Sequence, residues 1–118
     1  YYFDNHADNY YVMEEEEIIV GSGGFNLSED GGTGKISWDI VHPLWQKKGI
    51  GSALTKYRIA KMKEIAGVHT ISVRTSQHVY LFYEKFGLQL KEIVKDYWAE
   101  GFDLYRLDCD VDKTIIDW

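Results

Sequence analysis

The chain has one cysteine, Cys109, and one proline, Pro43, in 118 residues. A lone thiol excludes an internal disulfide framework and a zinc site built from cysteines, and it suits a reducing cytoplasm. The four histidines, His6, His42, His69 and His78, show no i, i+3 or i, i+4 spacing. No helical ligand pair follows from that pattern, and no metal is expected. Basic charge is also scarce: 13 Lys and Arg against 19 Asp and Glu leave a net charge of −6. A general nucleic-acid binder needs a basic surface, so that class is excluded. A small basic loop holding one phosphate group is not. No apolar run approaches the roughly 20 residues that span a bilayer. Tyr1-Tyr2-Phe3-Asp4 also lacks the charged start of a signal peptide. Neither nucleic acid nor membrane is expected as a partner, and the expected compartment is the cytoplasm. The chain does not begin with Met, which predicts that residues precede Tyr1.

What the chain does have is apolar mass, with 45% hydrophobic and 15% aromatic residues. That suffices for one domain that buries roughly two thirds of its unfolded surface. The pattern alternates between strand and helix periods. Tyr1 to Asn9 reads as the tail of a helix. Tyr10 to Glu14 reads as a strand, Glu15-Glu16 as its turn, and Glu17 to Leu27 as a second strand. Gly21, Gly23 and Gly24 inside that strand mark a bulge or a close backbone approach. Ser28 to Gly34 is a hairpin loop, and Lys35 to Val41 is the returning strand, stopped by His42-Pro43. From Ile50 the period becomes helical, with Leu54, Tyr57, Ile59, Met62 and Ile65 near one face and Gly67 as the stop. Thr70 to Arg74 is a strand and Gln77 to Phe86 a second helix. Gln89 to Asp96 and Leu104 to Val111 are two more strands, joined at Ala99-Glu100-Gly101. The order is (α)-β-β-β-α-β-α-β-β.

The densest chemical signal runs from Val41 to Ser52, after a strand and into a long helix. The first N–H groups of a helix have no internal partner and carry the positive end of its dipole. Gly49-Ile50-Gly51 removes Cβ atoms where a phosphate would approach the backbone. Gln46, Lys47 and Lys48 add side-chain donors and two positive charges. A pyrophosphate suits this arrangement, although the same glycines also serve a plain strand-to-helix turn. The loop is neither a Walker A loop nor a Rossmann fingerprint.

Gln46-Lys47-Lys48-Gly49-Ile50-Gly51 resembles the Gln/Arg-x-x-Gly-x-Gly/Ala signature of the GNAT superfamily of acyl-CoA-dependent N-acyltransferases, in its bacterial type. Val41-His42-Pro43 is similar to the entry of that motif. Downstream, Phe82-Tyr83-Glu84-Lys85-Phe86-Gly87-Leu88 resembles the family's Leu/Phe-Tyr-x-Lys-x-Gly-Phe segment, in register with the first. The likeness covers Glu17 to about Leu107. It implies an α+β domain, residues 1–118, with a mixed, mostly antiparallel sheet flanked by helices in three layers. The family's N-terminal strand and the two helices that wall the acceptor pocket would be largely missing. Ser76 stands where the family commonly has Asn.

The resemblance implies roles residue by residue. Ile40 and Val41, with His42 beside them, would pair with the pantetheine arm of acetyl-CoA like an added strand. Gln46 and the N–H groups of Lys47, Lys48, Gly49, Ile50, Gly51 and Ser52 would hold the pyrophosphate, and Ser76 would hydrogen-bond the cofactor. Tyr83 would protonate the departing thiolate, since a phenol keeps its proton at neutral pH yet shares it with a developing anion. It also reads as an aromatic core residue beside Phe82 and Phe86. Asp39, on the same strand face as Lys35 and Ser37 by the period of two, is the candidate general base, with a structural carboxylate as the other reading. Trp98 and Tyr97 are candidate acceptor contacts. The implied function is transfer of an acetyl group to a primary amine, on a small molecule or a peptide, by direct attack in a ternary complex. The alternative is a domain of the same fold that binds acyl-CoA or a partner without transfer. The acidic net charge favours cationic acceptors by attraction. Ile115, Ile116 and Trp118 in the tail are candidates for packing in a homodimer.

Overall fold

The structure, a computed structural model, describes residues 2–7, 9–41 and 49–117, with side chains described at residue 3 and at 9–37 and 49–117. Seven strands form one sheet: β1 (Tyr2–Ala7), β2 (Tyr10–Glu15), β3 (Ile18–Leu27), β4 (Thr33–Val41), β5 (Thr70–Thr75), β6 (Gln89–Ala99) and β7 (Phe102–Asp110), in the order β1-β2-β3-β4-β5-β7-β6. Helix α1 (Ile50–Lys63) crosses between β4 and β5, and the short α2 (Tyr80–Glu84) lies between β5 and β6. All neighbouring strands run antiparallel except β4 and β5. The architecture is the mixed α+β sheet that the sequence implies.

The first segment departs from its reading. Tyr2–Ala7 is a strand, not the end of a helix, and pairs with β2 from Tyr2↔Glu14 to Ala7↔Tyr10. The Phe3 ring explains the outcome: it stacks on Tyr57 of α1, centroids 4.0 Å apart. That contact and the ladder outweigh any local helical tendency. Asn9 makes the reversal at φ 57°, a conformation Asn tolerates better than most residues. At the next turn Glu16 and Glu17 both adopt positive φ, so β2 extends through Glu15 and β3 starts at Ile18.

One face of the sheet is apolar and lies under α1. Ile36, Ile71, Val73 and Leu107 from the strands meet Ile59 and Met62 from the helix. A second cluster joins Met13 and Val20 to Ile50 and Leu54. Gly34 is a packing requirement, since a Cβ there would lie 2.3 Å from Met62 Sδ. The second helical segment is shorter than its periodicity suggests. Only Tyr80–Glu84 is α-helical. Its flanks tighten into three-residue turns, Val79 N to Ser76 O and Phe86 N to Tyr83 O, as helix ends often do. The tail folds back on its own chain, with Ile115 N donating to Phe86 O and Ile116 packed on the core.

The β3–β4 loop is closed by side chains. Asp30 Oδ1 accepts from Ser28 Oγ at 2.7 Å and from the Gly32 N–H at 2.9 Å. These two bonds, Ser28 first, hold the Asp30 carboxyl below its ordinary value of 3.8. A lowered folded value gives stability that is complete above 3.8 and is lost as pH falls through the folded value. Asp30→Asn should therefore flatten the acid limb of the stability curve below pH 3.8, as read by urea unfolding. An acid limb identical to the parent's would mean that the loop closes without the charge.

Candidate active site

β4 reaches past its partner. It pairs in parallel with β5 from Thr33↔Thr70 to Ile36↔Val73, and beyond that rung the two strands part. On its other edge β4 stays bonded to β3, with Ile40 opposite Ser22 and Val41 opposite Gly21. The fork-side edge of Ile40 and Val41 thus has no rung to β5, which is how an extended ligand can add as a strand.

The β3–β4 ladder also slips inside this region. Gly24 faces Ser37, but Ser22 faces Ile40, so β4 holds one residue more than β3 between these rungs. Such a bulge bends the strand and turns the following side chains. The alternation that places Lys35, Ser37 and Asp39 on one face therefore cannot be carried to Asp39, whose side chain lies outside the described residues. On the facing strand, Gly24 allows a close approach: a Cβ there would lie 2.6 Å from Asn9 O, the carbonyl that accepts the Phe25 N–H at 2.9 Å.

Helix α1 starts beside the end of β4. Its first residue, Ile50, is buried against Met13 and Val20, and Val20 neighbours the Gly21↔Val41 rung. Gly49 caps the helix at φ 80°, with no side-chain hydrogen bond and no acidic residue in the first turn. A left-handed residue here favours glycine. The first helical bond runs from Ala53 N to Gly49 O, so the N–H groups of Ile50, Gly51 and Ser52 precede the helical ladder. A Cβ at Gly49 would have nothing within 4 Å. Together these features leave a cluster of backbone donors at the start of α1, the kind of arrangement that suits an anion. Because the Ile50 side chain is 1% exposed, its backbone is what it offers. His42, Gln46, Lys47 and Lys48 lie outside the described residues.

The second motif comes to the same end of the sheet. The Phe82 ring lies against Gly51, where a Cβ would meet it at 3.6 Å. Tyr83, the next residue, is 6% exposed, edge-on to Phe82 at 5.1 Å and part of the core cluster. Ser76 closes the turn before α2: its Oγ accepts from the His78 N–H at 3.2 Å, and its carbonyl accepts from Val79 and Tyr80. His78 lies edge-on to Phe102 at 5.6 Å.

Arg58 is the residue that sequence reading missed. It is fully buried in α1, and its Nη1 donates to Gly24 O at 3.1 Å and Ser37 O at 3.2 Å, the carbonyls of the last rung before the slip. Nη2 donates to Thr55 Oγ1, which in turn donates to Gly51 O. A signal existed: Ile50, Leu54 and Met62 step along one row of the helix, and Arg58 completes it.

On the opposite face of the sheet lies a cleft of about 710 Å³. Ser37 and Arg74, the first residues past the last β4–β5 rung, both line it, and Trp98 forms a wall. The Trp98 indole N–H donates to Thr75 O at 3.0 Å. Gln77 takes part in the same clamp, donating to Gly101 O and accepting from the Asp103 N–H.

Residues 6–89 match the family profile described as an acetyltransferase (GNAT) domain. The cysteine-rich protein 2-binding protein of Mus musculus is 30% identical over 76 residues, which are 63% of this chain and 9% of that protein. The chain thus spans a small part of that relative. Among solved structures, a Bacillus subtilis acetyltransferase in complex with CoA superposes with a TM-score of 0.76 at 24% identity, over 86% of this chain and 75% of that one. The ribosomal-protein-S18-alanine N-acetyltransferase of Escherichia coli gives a TM-score of 0.76 at 17% identity, over 91% and 72%.

Proposed function

The chain belongs to the GNAT acetyltransferase family, and from that premise we propose that it moves an acetyl group from acetyl-CoA to a primary amine by direct attack in a ternary complex. The observation that carries this reading is the convergence at one end of the sheet. The uncapped first turn of α1, the free edge of β4 and the helix bearing Tyr83 meet there. The residues fit the cofactor's chemistry. Backbone donors of Gly49 to Ser52, joined by Gln46, Lys47 and Lys48, suit a pyrophosphate, and Ile40 and Val41, with His42, suit an amide-bearing arm. Acetyl-CoA supplies a thioester carbonyl open to nucleophilic attack. Within the chain, Tyr83 holds a proton for the departing sulfur, and Asp39 takes the proton that the attacking amine loses. Ser76, fixed by the His78 N–H, still has its hydroxyl hydrogen to donate. The products are an amide and the free thiol.

Calorimetry with acetyl-CoA tests the first half of this reading. Gly49→Glu should weaken binding by at least ~100-fold, since juxtaposed like charges cost several kcal/mol. Gly49→Ala carries the same backbone strain without the carboxylate and should retain most of the affinity. Equal affinities for Gly49→Glu and Gly49→Ala would remove the pyrophosphate from this loop. Thiol release with an amine tests the second half. Binding without release under any amine would identify a domain that holds the cofactor and transfers nothing.

A further inference from the structure

For a chain of net charge −6, the face of the sheet away from α1 carries its charge unevenly among the described residues. Arg74 on β5 stands directly opposite Arg106 on β7, and both line the cleft that opens at the fork. Like charges facing each other across a ladder repel. Arg106 is compensated: its Nε lies 3.2 Å from Glu92 Oε1, and its Nη1 bonds Asp108. Asp108 is committed further, accepting from Ser72 Oγ at 2.6 Å. Arg74 is exposed and enters no ion pair among the described residues. The same holds for Lys35, whose strand neighbour across the parallel ladder is Ser72. Described side chains thus give the cleft three cations, Lys35, Arg74 and Arg106, against one carboxylate, Asp108. Two of those cations have no counter-charge among the described residues.

A solvated sheet face is ordinarily polar, and scattered lysines would need no account. The rung of two arginines is different, because Arg106 has carboxylates of its own and Arg74 beside it has none among the described residues, so an anion at Arg74 would supply the missing charge. The cleft also has the volume to hold one, about 710 Å³. Trp98 walls it, pinned through its indole N–H to the end of β5. Its position relative to the chemistry is fixed by the ladder. The last β4–β5 rung is Ile36↔Val73, so Ser37 and Arg74 mark where the sheet face opens into the fork. A molecule resting on Arg74 and Lys35 extends from there toward the free edge of β4.

We propose that this cleft takes the acceptor, and that the acceptor is a primary amine bearing an anionic group, a carboxylate or a phosphate, held by Arg74 and Lys35. The inference rests on the transferase reading for the acceptor's role. It reverses the expectation from net charge, since a diffuse negative field would draw polycations while the local cations refuse them. Guanidinium and ammonium donors to an oxyanion form charge-assisted bonds, stronger than neutral ones, and the amine at the far end of the molecule is left to face the fork.

The test uses the whole chain saturated with coenzyme A and four amines: 4-aminobutyrate, O-phosphoethanolamine, butylamine and 1,4-diaminobutane. Binding is measured by calorimetry. At least one anionic amine should bind ~10-fold or more tightly than butylamine and 1,4-diaminobutane, the gain of one hydrogen bond to a charged partner. The two anionic arms separate carboxylate from phosphate recognition. Arg74→Gln should erase the preference, and Lys35→Gln should reduce it. Both are exposed sites, and circular dichroism would confirm the fold of each variant. Equal or tighter binding of 1,4-diaminobutane overturns the inference, as does a preference unchanged in Arg74→Gln. Thiol release from acetyl-CoA is read separately. An anion preference that depends on Arg74, without thiol release, would keep the cleft's selectivity and overturn the transferase reading instead.

Discussion

If Tyr83 is the general acid of the proposed transfer, Tyr83→Phe should lower kcat by about 10²–10⁴-fold, the usual range for a positioned general acid, while the affinity for acetyl-CoA should stay near that of the parent. The substitution is conservative in every respect except the proton. Phe keeps the ring that lies edge-on to Phe82 and the place in the core beside Phe86 and Leu88. The lost hydroxyl alone changes stability by about 1 kcal/mol. Steady-state kinetics on a folded variant therefore separate the two readings of this residue. A large fall in kcat in a variant that stays folded, with its melting temperature lowered by no more than the few degrees that about 1 kcal/mol costs, assigns Tyr83 to proton transfer. A kcat within twofold of the parent's makes it a packing residue, and the sulfur then takes its proton from elsewhere.

The second large effect falls on stability. Arg58→Ala is expected to cost about 3–5 kcal/mol, combining the cavity left by a large buried side chain with the loss of donors to Gly24 O, Ser37 O and Thr55 Oγ1. Domains of this size are stable by only about 5–15 kcal/mol, so the variant would stand close to unfolding. Arg58→Met divides the cost. It refills much of the volume and leaves the carbonyls without the guanidinium, which should cost about 1–3 kcal/mol. Urea midpoints measure both. A loss below 1 kcal/mol for Arg58→Ala would show that the carbonyls at the β3–β4 slip find other donors.

Both predictions concern residues whose visibility in the sequence differed. Tyr83 and Gly49 belong to short segments whose residue types and spacing resemble the family's motifs, so the family was legible without a structure, and its profile matches residues 6–89. The strands from β2 onward were legible too, because each shows alternation or a β-branched run between turn residues. The first strand was not. Tyr2–Ala7 takes its conformation from a ladder with β2 and from Phe3 stacking on Tyr57, and neither partner can be inferred from those six residues. The slip between Ser37 and Ile40 was equally invisible, because a bulge is a relation between two strands and leaves the alternation of one strand apparently intact. Asp39 lies inside that slip, so the face its strand assigns to it stays an expectation. Arg58 was legible in principle from its place in the row of Ile50, Leu54 and Met62. Its charge argued against reading it as core, and only its partners on β3 and β4 explain how a guanidinium is accommodated there.

The cleft illustrates the same limit for charge. Summed over the chain, the balance is −6, and the sum suggested a cationic acceptor. Arg74 and Arg106 are 32 positions apart in the sequence and become neighbours through the β5–β7 ladder. Local sign is decided by topology, and the composition carries no trace of it.

The parallel join of β4 and β5 has a mechanical consequence. It has four rungs, from Thr33↔Thr70 to Ile36↔Val73, and every other neighbouring pair in the sheet has more. To one side lies an antiparallel block, β1 to β4; to the other lies the block of β5, β7 and β6. The molecule is thus two stiff plates joined along a short seam, with α1 lying across as the brace. Low-energy breathing follows the weakest continuous join, and here that join ends at the fork. Widening the fork breaks no rung within either plate, so the gap between the blocks can change while each keeps its shape.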